Sequence, residues 1–256
     1  MPKSVVITGG NKGIGRSITE CFAKNGYTVI VGARTCNDVE SIDPDKVIFH
    51  AMDVREEAAH IELAKKAIDA SGTLNAWINN AGISAWMPIG DIDDKFFDLL
   101  MGVNLKGAFW GCKAAALYMS ENGGSIINIS SIAGKRGSSK NAMYCATKFG
   151  MNGLTQSLAK ELGPKGIRVN ALCPVLIKTD GLMAALSEQH SPAKGDTEAF
   201  LEDFLKSNSA TGALPRGEDV GNMAVFLSAV ENQSITGQCI NVDSGVFPPV
   251  IILWGL

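Results

Sequence analysis

Short apolar runs alternate along this chain with longer stretches in which apolar residues recur at helical spacing. The short runs are continuously apolar, as expected for strands of a parallel sheet that is covered by helices on both faces. The pattern therefore predicts a doubly wound α/β fold with a mostly parallel, seven-stranded sheet. The predicted strands are residues 4–8, 27–32, 46–52, 74–79, 124–130, 166–173 and 236–242.

Directly after the first predicted strand, glycines occupy positions 9, 10, 13 and 15, and a helical pattern follows. This glycine turn would therefore lie at a helix N-terminus, where unpaired N–H groups and the helix dipole favour an anion. Residues without side chains let a pyrophosphate approach the backbone. The spacing of Gly9, Gly13 and Gly15 is one residue longer at its first step than the commonest dinucleotide fingerprint, so an ordinary glycine turn is the alternative.

Two cations accompany this turn. Arg34 follows the second predicted strand, about 20 residues beyond the turn, where a dinucleotide site meets the adenosine ribose. No acidic residue stands at 32–35, and the planar Arg34 cation suits a phosphate. Lys12, inside the turn, adds a second positive charge. The pair favours NADP(H) over NAD(H), with two solvated surface cations as the alternative.

Polar and small residues follow the next two predicted strands. Asp53 can accept a hydrogen bond from an adenine amino group, or it can cap a helix that starts near Arg55. The sequence Asn79-Asn80-Ala81-Gly82 follows the fourth strand, and its small residues would let the backbone come near a ribose, although a generic turn has the same composition. In doubly wound sheets ligands bind beyond the carboxyl ends of the strands, which is where these residues fall.

Residues 91–119 are predicted to be helical. Gly107, Gly111 and Ala115 recur at intervals of four and form a flat stripe that suits close packing, either on the sheet of the same chain or on a neighbouring subunit. Asn104 lies within this helix, where an amide side chain usually faces solvent.

The sequence from Ser130 to Lys148 carries the most specific chemistry. Ser131 stands at the end of the fifth strand, and Tyr144 and Lys148 are four residues apart, so they lie on one helix face. A phenol has an ordinary pKa near 10, and a nearby ammonium group is expected to lower it. This arrangement can act as a general acid or base, with a serine hydroxyl holding a substrate oxygen. A surface aromatic residue beside a solvated lysine is the alternative.

Composition excludes several functions. The 256 residues are 46% hydrophobic with a net charge of −3, and without a basic block neither nucleic acid nor an anionic membrane is an expected partner. The six cysteines are scattered and show no metal-ligand spacing. No signal peptide precedes the first strand and no apolar run is long enough to cross a bilayer, so we expect a cytoplasmic protein.

Together these motifs resemble the classical short-chain dehydrogenase/reductase family over nearly the whole chain, as one Rossmann-type domain spanning residues 1–256. The resemblance implies that Tyr144 donates or accepts the proton and that Ser131 positions the reacting oxygen. It implies that Lys148 lowers the tyrosine pKa and holds the nicotinamide ribose, and that Asn104 anchors a water in a proton relay from Lys148. The cofactor-binding residues that it implies are Gly9, Asn11, Lys12, Gly13, Ile14, Gly15, Arg34, Asp53, Val54, Asn80, Ala81, Gly82, Tyr144, Lys148, Pro174, Ile177 and Thr179.

One departure from the family pattern affects the cofactor loop. The family commonly has Pro-Gly after the sixth strand, whereas Val175 follows Pro174 here. If a positive φ is needed at this position, the loop must follow a different path.

Substrate selection is expected in residues 180–214, where apolar residues recur at helical intervals, as in an amphipathic cover over a cleft or an ordinary pair of surface helices. Lys135-Arg136 can attract an acidic substrate or be merely solvated. The apolar tail 246–256 favours burial in a symmetric interface, and by family resemblance we expect a homotetramer, or a dimer.

The sequence therefore predicts an NADP(H)-dependent oxidoreductase that interconverts a carbonyl and a secondary alcohol, run as a reductase. Its expected substrate is a small molecule, either a 3-oxoacyl thioester or a sugar or polyol. A catalytically idle NADP(H)-binding sensor or scaffold protein is the alternative.

Overall fold

A computed structural model describes residues 3–119 and 123–247 and confirms the α/β class. Its one sheet has seven strands in the order β3-β2-β1-β4-β5-β6-β7, and every neighbouring pair is parallel. All seven predicted strands are present, each within a few residues of its predicted ends. The strands are β1 (Lys3–Thr8), β2 (Tyr27–Ala33), β3 (Val47–Ala51), β4 (Ala76–Asn79), β5 (Gly124–Ile129), β6 (Ile167–Pro174) and β7 (Cys239–Val242).

Helices cover both faces of the sheet, which explains why the strands are continuously apolar. Side chains alternate between the two faces, so Val5 and Ile7 join one buried cluster while Val6 joins the other. The helices are α1 (Gly13–Lys24), α2 (Glu57–Ser71), α3 (Asp94–Leu100), α4 (Gly107–Tyr118), α5 (Ala142–Leu162), α6 (Asp180–Ser187), α7 (Thr197–Asn208) and α8 (Gly217–Ser228). Helices α1 and α8 contribute to the first cluster, and α2, α4 and α5 to the second.

The predicted helix at 91–119 is divided in the structure. Helix α3 leads into a π-helical segment, Met101–Lys106, which continues into α4. A π segment inserts an extra residue per turn and rotates the side chains that follow it, and such segments are frequent at functional sites. Asn104 lies in this segment and is completely buried, whereas an amide side chain within a helix was expected to face solvent.

The small-residue stripe of α4 packs on its own sheet. A Cβ atom added at Gly111 would lie 1.9 Å from Asn79 Oδ1, and one added at Gly107 would lie 3.1 Å from the Val54 carbonyl oxygen. The stripe is therefore occupied by contacts within the chain, and the alternative of a neighbouring subunit at this surface is wrong.

The strand order reverses between β1 and β4, and the loops that follow these two strands open a crevice at the carboxyl edge of the sheet.

Among the described residues no helix is long and apolar enough to span a membrane. In the same part of the chain no group of three or more His, Cys, Asp or Glu side chains can hold a metal ion. Residues 248–256, most of the predicted interface tail, lie outside the described residues.

Candidate active site

A cleft of about 1160 Å³ lies at the carboxyl edge of the sheet and brings together residues that are far apart in the sequence. Ser131, Tyr144 and Lys148 line it, while Asn104 lies behind its wall. Every predicted cofactor residue also lines this cleft, from Gly9, Asn11, Lys12, Gly13, Ile14 and Gly15 through Arg34, Asp53, Val54, Asn80, Ala81 and Gly82 to Pro174, Ile177 and Thr179.

The glycine turn is tied to the loop after β4. Gly9 has a φ of +66°, a conformation that favours glycine. The Asn80 side-chain amide donates to the carbonyl oxygens of Thr8 and Gly9, both at 3.0 Å. A Cβ atom added at Gly15 would lie 2.1 Å from the Gly9 carbonyl oxygen, so the start of α1 packs directly on the turn. The two loops at the strand-order reversal thus form one rigid wall of the cleft.

The N-terminus of α1 fits a pyrophosphate. Lys12 is the N-cap residue, its side chain does not cap the helix, and the first turn contains no acidic residue. The first N–H groups of the helix are therefore left for an anion, and the dipole adds positive potential there. The residues of this turn are compatible with a dinucleotide cofactor.

The end of the cleft beside Lys12 and Arg34 is positively charged. Lys12 and Arg34 are both exposed, and neither forms a salt bridge with another described residue. The Asn11 side chain donates to the Thr35 carbonyl oxygen at 2.7 Å and so joins the glycine turn to the loop after β2. This contact holds the two cation-bearing loops together.

Asp53 pairs with Arg55, a residue that sequence reasoning did not assign to the site. The Arg55 guanidinium contacts the carboxylate at 2.6–3.0 Å, and the Arg55 N–H donates to it at 3.0 Å. These hydrogen bonds lower the pKa of Asp53. The capping alternative for Asp53 is wrong, because α2 begins at Glu57 rather than near Arg55. The Asp-x-Arg spacing was a usable signal, since a short turn can bring such a pair together.

Ser131 lies directly after β5 and is held in place on two sides. Its hydroxyl oxygen accepts the Ala133 N–H at 3.1 Å, and the hydroxyl lies 3.4 Å from the Pro174 carbonyl oxygen. The side chain also hydrogen-bonds to Tyr144. Thus the serine joins the ends of two neighbouring strands and positions a hydroxyl beside the tyrosine.

The pKa of Tyr144 differs from the expectation. Burial raises it to about 12, and the hydrogen bond with Ser131 offsets this only in part. The pKa of Tyr144 is therefore raised overall rather than lowered, and the contribution expected from Lys148 stays a prediction. Tyr144 therefore carries its proton at neutral pH.

Lys148 is buried to 4% exposure on α5, one turn after Tyr144. Its ammonium group donates to the Ile129 carbonyl oxygen at 2.7 Å and lies 5.6 Å from the centre of the Tyr144 ring. Burial lowers the pKa of Lys148 to about 8. A neutral-pH cation is thus held next to the tyrosine, with the end of β5 as its anchor.

Both the oxygen and the nitrogen of the Asn104 side-chain amide form hydrogen bonds with neighbouring residues. Its oxygen accepts the Ile83 N–H at 2.8 Å, and its nitrogen donates to the Ile83 carbonyl oxygen at 2.9 Å and to Thr147 Oγ1 at 3.3 Å. A Cβ atom added at Gly82 would lie 3.4 Å from Asn104 Oδ1 and 3.8 Å from Lys148 Nζ. The asparagine therefore fixes the loop beside Lys148, and its role in a proton relay stays a prediction.

Val175 does not distort the loop after β6. It is absent from the described non-glycine residues with positive φ, so the valine adopts ordinary backbone geometry. Its side chain is buried with Ile132 and Val246. Farther along, Thr179 Oγ1 accepts the Leu182 N–H at 3.2 Å and caps α6.

The segment 180–214 folds into α6 and α7, and both helices line the cleft. Their apolar side chains pack with Trp86 and Leu176 around buried Leu186 and Leu201. The substrate half of the cleft is thus walled largely by aliphatic and aromatic groups.

Comparison with known proteins agrees with this geometry. A family model for the short chain dehydrogenases matches residues 3–190. The chain is 34% identical to the (S)-acetoin-forming diacetyl reductase of Staphylococcus aureus, over 95% of this chain and 97% of that one. It is 33% identical to the L-2,3-butanediol dehydrogenase of Corynebacterium glutamicum, over 96% of this chain and 99% of that one. The solved structure of ElxO with NADP bound is similar with a TM-score of 0.85 and 31% identity, covering 96% of this chain and 99% of that chain.

The chain therefore belongs to the short-chain dehydrogenase/reductase family. It is an oxidoreductase that interconverts carbonyl and alcohol groups, and a nicotinamide cofactor is typical of this family.

Proposed function

We propose that this protein is an NADPH-dependent reductase of small aliphatic ketones and diketones. The observation that carries the proposal is the cluster of Ser131, Tyr144 and Lys148 at the cleft, in which the pKa of Tyr144 is raised to about 12. A tyrosine that holds its proton at neutral pH is in the state required to protonate a reduced carbonyl oxygen. When bound, NADPH supplies the hydride.

The chain's own residues orient the substrate and move the proton. The Ser131 hydroxyl can donate to the substrate carbonyl oxygen, beside the Tyr144 hydroxyl that donates the proton to it. The cation of Lys148 stabilises the negative charge that then develops on the tyrosine oxygen. Its anchor on Ile129 keeps the ammonium group in place through this step.

Charge at the ribose end supports NADPH as the preferred cofactor. Lys12 and Arg34 lie beside the cleft without salt-bridge partners among the described residues, and no acidic residue stands at 32–35 to repel a 2′-phosphate. The NADP bound to ElxO supports the same cofactor for a protein of this fold.

The apolar walls of the substrate half favour a ketone over a sugar. Hydroxyl groups of a polyol that lay against Trp86, Phe200 and Phe204 would lose hydrogen bonds to water, which is costly where no other partner replaces them. The relatives named for diacetyl and 2,3-butanediol support a small aliphatic substrate. A 3-oxoacyl thioester remains a candidate because its reacting end is also aliphatic.

The test is the loss of reduced-nicotinamide absorbance with NADPH and NADH in parallel. The panel contains diketones, simple ketones, 3-oxoacyl thioesters and ketoses, and Tyr144→Phe is assayed beside the wild type. We expect turnover of a ketone or diketone with NADPH that falls at least about a thousandfold in the variant. Binding of NADPH without any turnover would contradict the proposal and favour the sensor or scaffold function.

We further propose that the protein assembles with copies of itself, as a tetramer or dimer. Phe97, Phe109 and Phe149 are each more than 40% exposed, on α3, α4 and α5 respectively, and apolar side chains of this size are normally covered. Analytical ultracentrifugation at micromolar concentration tests this, and a single monomeric species would contradict it.

A further inference from the structure

Arg136 is a cation in the substrate half of the cleft that the proposed chemistry does not use. It lies in the loop after β5, five residues beyond Ser131, and its side chain is exposed and lines the cleft. Its backbone N–H donates to the Ile132 carbonyl oxygen at 3.1 Å, so the backbone at this position is fixed. Within residues 3–119 and 123–247, no carboxylate pairs with its guanidinium group.

Lys135, the neighbouring cation, does not line the cleft. Lys135 is half-buried, and its ammonium group donates to the Cys239 carbonyl oxygen and to Asn241 Oδ1 at 2.5 and 2.6 Å. It therefore joins its loop to β7, faces away from the cleft and has a structural role. Of the two adjacent cations, only Arg136 lines the cleft.

The guanidinium group of Arg136 is oriented by an aromatic ring. It lies 5.6 Å from the centre of the Phe247 ring, and Phe247 packs on the cluster formed by Ile132, Val175 and Val246. A planar cation held against a ring loses less freedom on binding than a freely moving chain, and its remaining N–H groups suit a bidentate anion.

No acidic side chain among the described residues that line the cleft forms a salt bridge with Arg136. Asp53 and Asp180 are the acidic side chains among the described lining residues. Asp53 pairs with Arg55. Asp180 lies in the first turn of α6, where the helix dipole stabilises a carboxylate, and it forms no salt bridge with Arg136.

Building on the proposed function, we infer that the substrate is an aliphatic ketone with an anionic group remote from its carbonyl, and that Arg136 binds this group. The carbonyl would lie at Ser131 and Tyr144, the carbon chain along Ile132 and Phe204, and the anion at the guanidinium. Arg136 is then a specificity-determining residue, which raises affinity without taking part in proton transfer.

The experiment compares keto acids with their own methyl esters. Acetoacetate, levulinate, 5-oxohexanoate and 6-oxoheptanoate are each assayed with NADPH beside the ester, so that carbonyl and chain are held constant while the charge is removed. A second arm compares acetoacetyl-CoA with acetoacetyl-N-acetylcysteamine, which lacks phosphates. The first arm detects a carboxylate on the substrate itself, and the second detects the phosphates of a thioester carrier.

The variants are Arg136→Gln, Arg136→Lys and the control Lys140→Gln. Lys140 lies in the same loop, is exposed and is not among the residues that line the cleft, so its loss removes an equal charge without touching the ligand.

In the wild type we expect kcat/KM for one anionic member to exceed that of its neutral partner by about tenfold or more. Arg136→Gln should remove most of this preference by raising KM for the keto acid. The kcat for the keto acid and the kcat/KM for the ester should stay nearly unchanged. Arg136→Lys should retain part of it, and Lys140→Gln all of it.

Equal kcat/KM for every acid and its ester, and for the two thioesters, would overturn the inference while leaving the proposed function intact. An equal loss for acid and ester in Arg136→Gln would also overturn it, since Arg136 would then only support the fold. If no ketone is reduced, the proposed function fails, and calorimetry of the keto acids with the NADPH-loaded protein decides the inference separately. Tighter binding of a keto acid to the wild type than to Arg136→Gln would support it, and equal binding would overturn it.

Discussion

The amide of Asn104 closes a two-way hydrogen-bonded clamp on the backbone of Ile83. It accepts the Ile83 N–H at 2.8 Å and donates to the Ile83 carbonyl oxygen at 2.9 Å, from the π-helical segment between α3 and α4. The loop it holds carries Gly82, which lies beside Lys148. The clamp therefore connects an irregular helix to the geometry of the proposed catalytic cluster.

Replacing Asn104 by Leu should damage both stability and activity. The substitution leaves two partly buried backbone groups of Ile83 without their side-chain partner, and we expect the free energy of unfolding to fall by about 1–3 kcal/mol. We also expect kcat to fall about tenfold or more because the loop beside Lys148 is released. Urea denaturation and steady-state kinetics with NADPH measure the two effects. Asn232→Leu is the control, since that amide makes one hydrogen bond, to the Phe226 carbonyl oxygen near the surface. Similar losses in both variants would contradict the clamp.

Lys148 should set the basic limit of reductase activity. Its pKa is about 8, so above this pH it loses its proton and its positive charge, whereas Tyr144, with a pKa of about 12, keeps its proton. We expect kcat/KM for carbonyl reduction to fall about tenfold per pH unit above pH 8. A pH profile of the wild type measures this, and constant activity up to pH 10 would show that the Lys148 proton is not required.

The same lysine should make the fold less stable than it would be without it. Its pKa is depressed from 10.5 to about 8, so between these values the unfolded chain binds more protons and the free energy of unfolding rises with pH. Below pH 8 the full cost of the buried charge is present, roughly 3 kcal/mol, partly offset by the bond to Ile129. Lys148→Met should therefore be more stable than the wild type at pH 7, by about 2 kcal/mol. Denaturation at pH 7 and pH 10 checks this, and an advantage that does not shrink by pH 10 would contradict it.

The sheet was predictable because its inner strands are buried on both faces and read as largely apolar runs, so even the short β4 was found. The glycine turn, Ser131 and Tyr144 were predictable for a related reason, since each directly follows a strand or begins a helix. These signals are local in sequence. They place a residue at the edge of the sheet without describing its surroundings.

The environment of each site residue depends on contacts between segments that are distant in the sequence. The sequence alone could not predict these contacts. The pKa of Tyr144 is raised because distant segments of the chain bury it, which no motif records. Asn104 is buried in a π-helical segment that no sequence pattern predicted, and its backbone partner Ile83 lies in a different loop of the chain. Arg136 and Lys135 are adjacent and chemically alike, yet one lines the cleft and the other bonds to β7, a difference that only the fold decides.

Cofactor preference should respond to the charge at position 34. Arg34→Asp replaces a cation suited to a 2′-phosphate by a group that repels it and can accept from a ribose hydroxyl. We expect kcat/KM for NADPH to fall about a hundredfold and that for NADH to rise. Arg16→Gln is the control, because Arg16 pairs with Glu20 and does not line the cleft. An unchanged ratio of kcat/KM for NADPH to kcat/KM for NADH in Arg34→Asp would show that Arg34 does not bind the 2′-phosphate.

Two helical glycines offer a matched test of how α4 packs on the sheet. A methyl group at Gly111 would lie 1.9 Å from Asn79 Oδ1, and that amide accepts from Trp77 Nε1 at 2.8 Å and donates to Asn128 at 2.8 Å inside the core. Gly153 on α5 is exposed, and a methyl group there meets nothing within 4 Å.

Gly111→Ala should therefore lower the free energy of unfolding by about 3 kcal/mol or more, since it both overpacks the core and breaks a buried polar network. Gly153→Ala should raise it by about 0.5–1 kcal/mol, because alanine favours a helix over glycine at a position without a clash. Chemical denaturation of the two variants beside the wild type measures both. If Gly111→Ala is instead as stable as the wild type, α4 must be able to move away from β4 at little cost, and the close packing of its small-residue stripe would not be what holds it on the sheet.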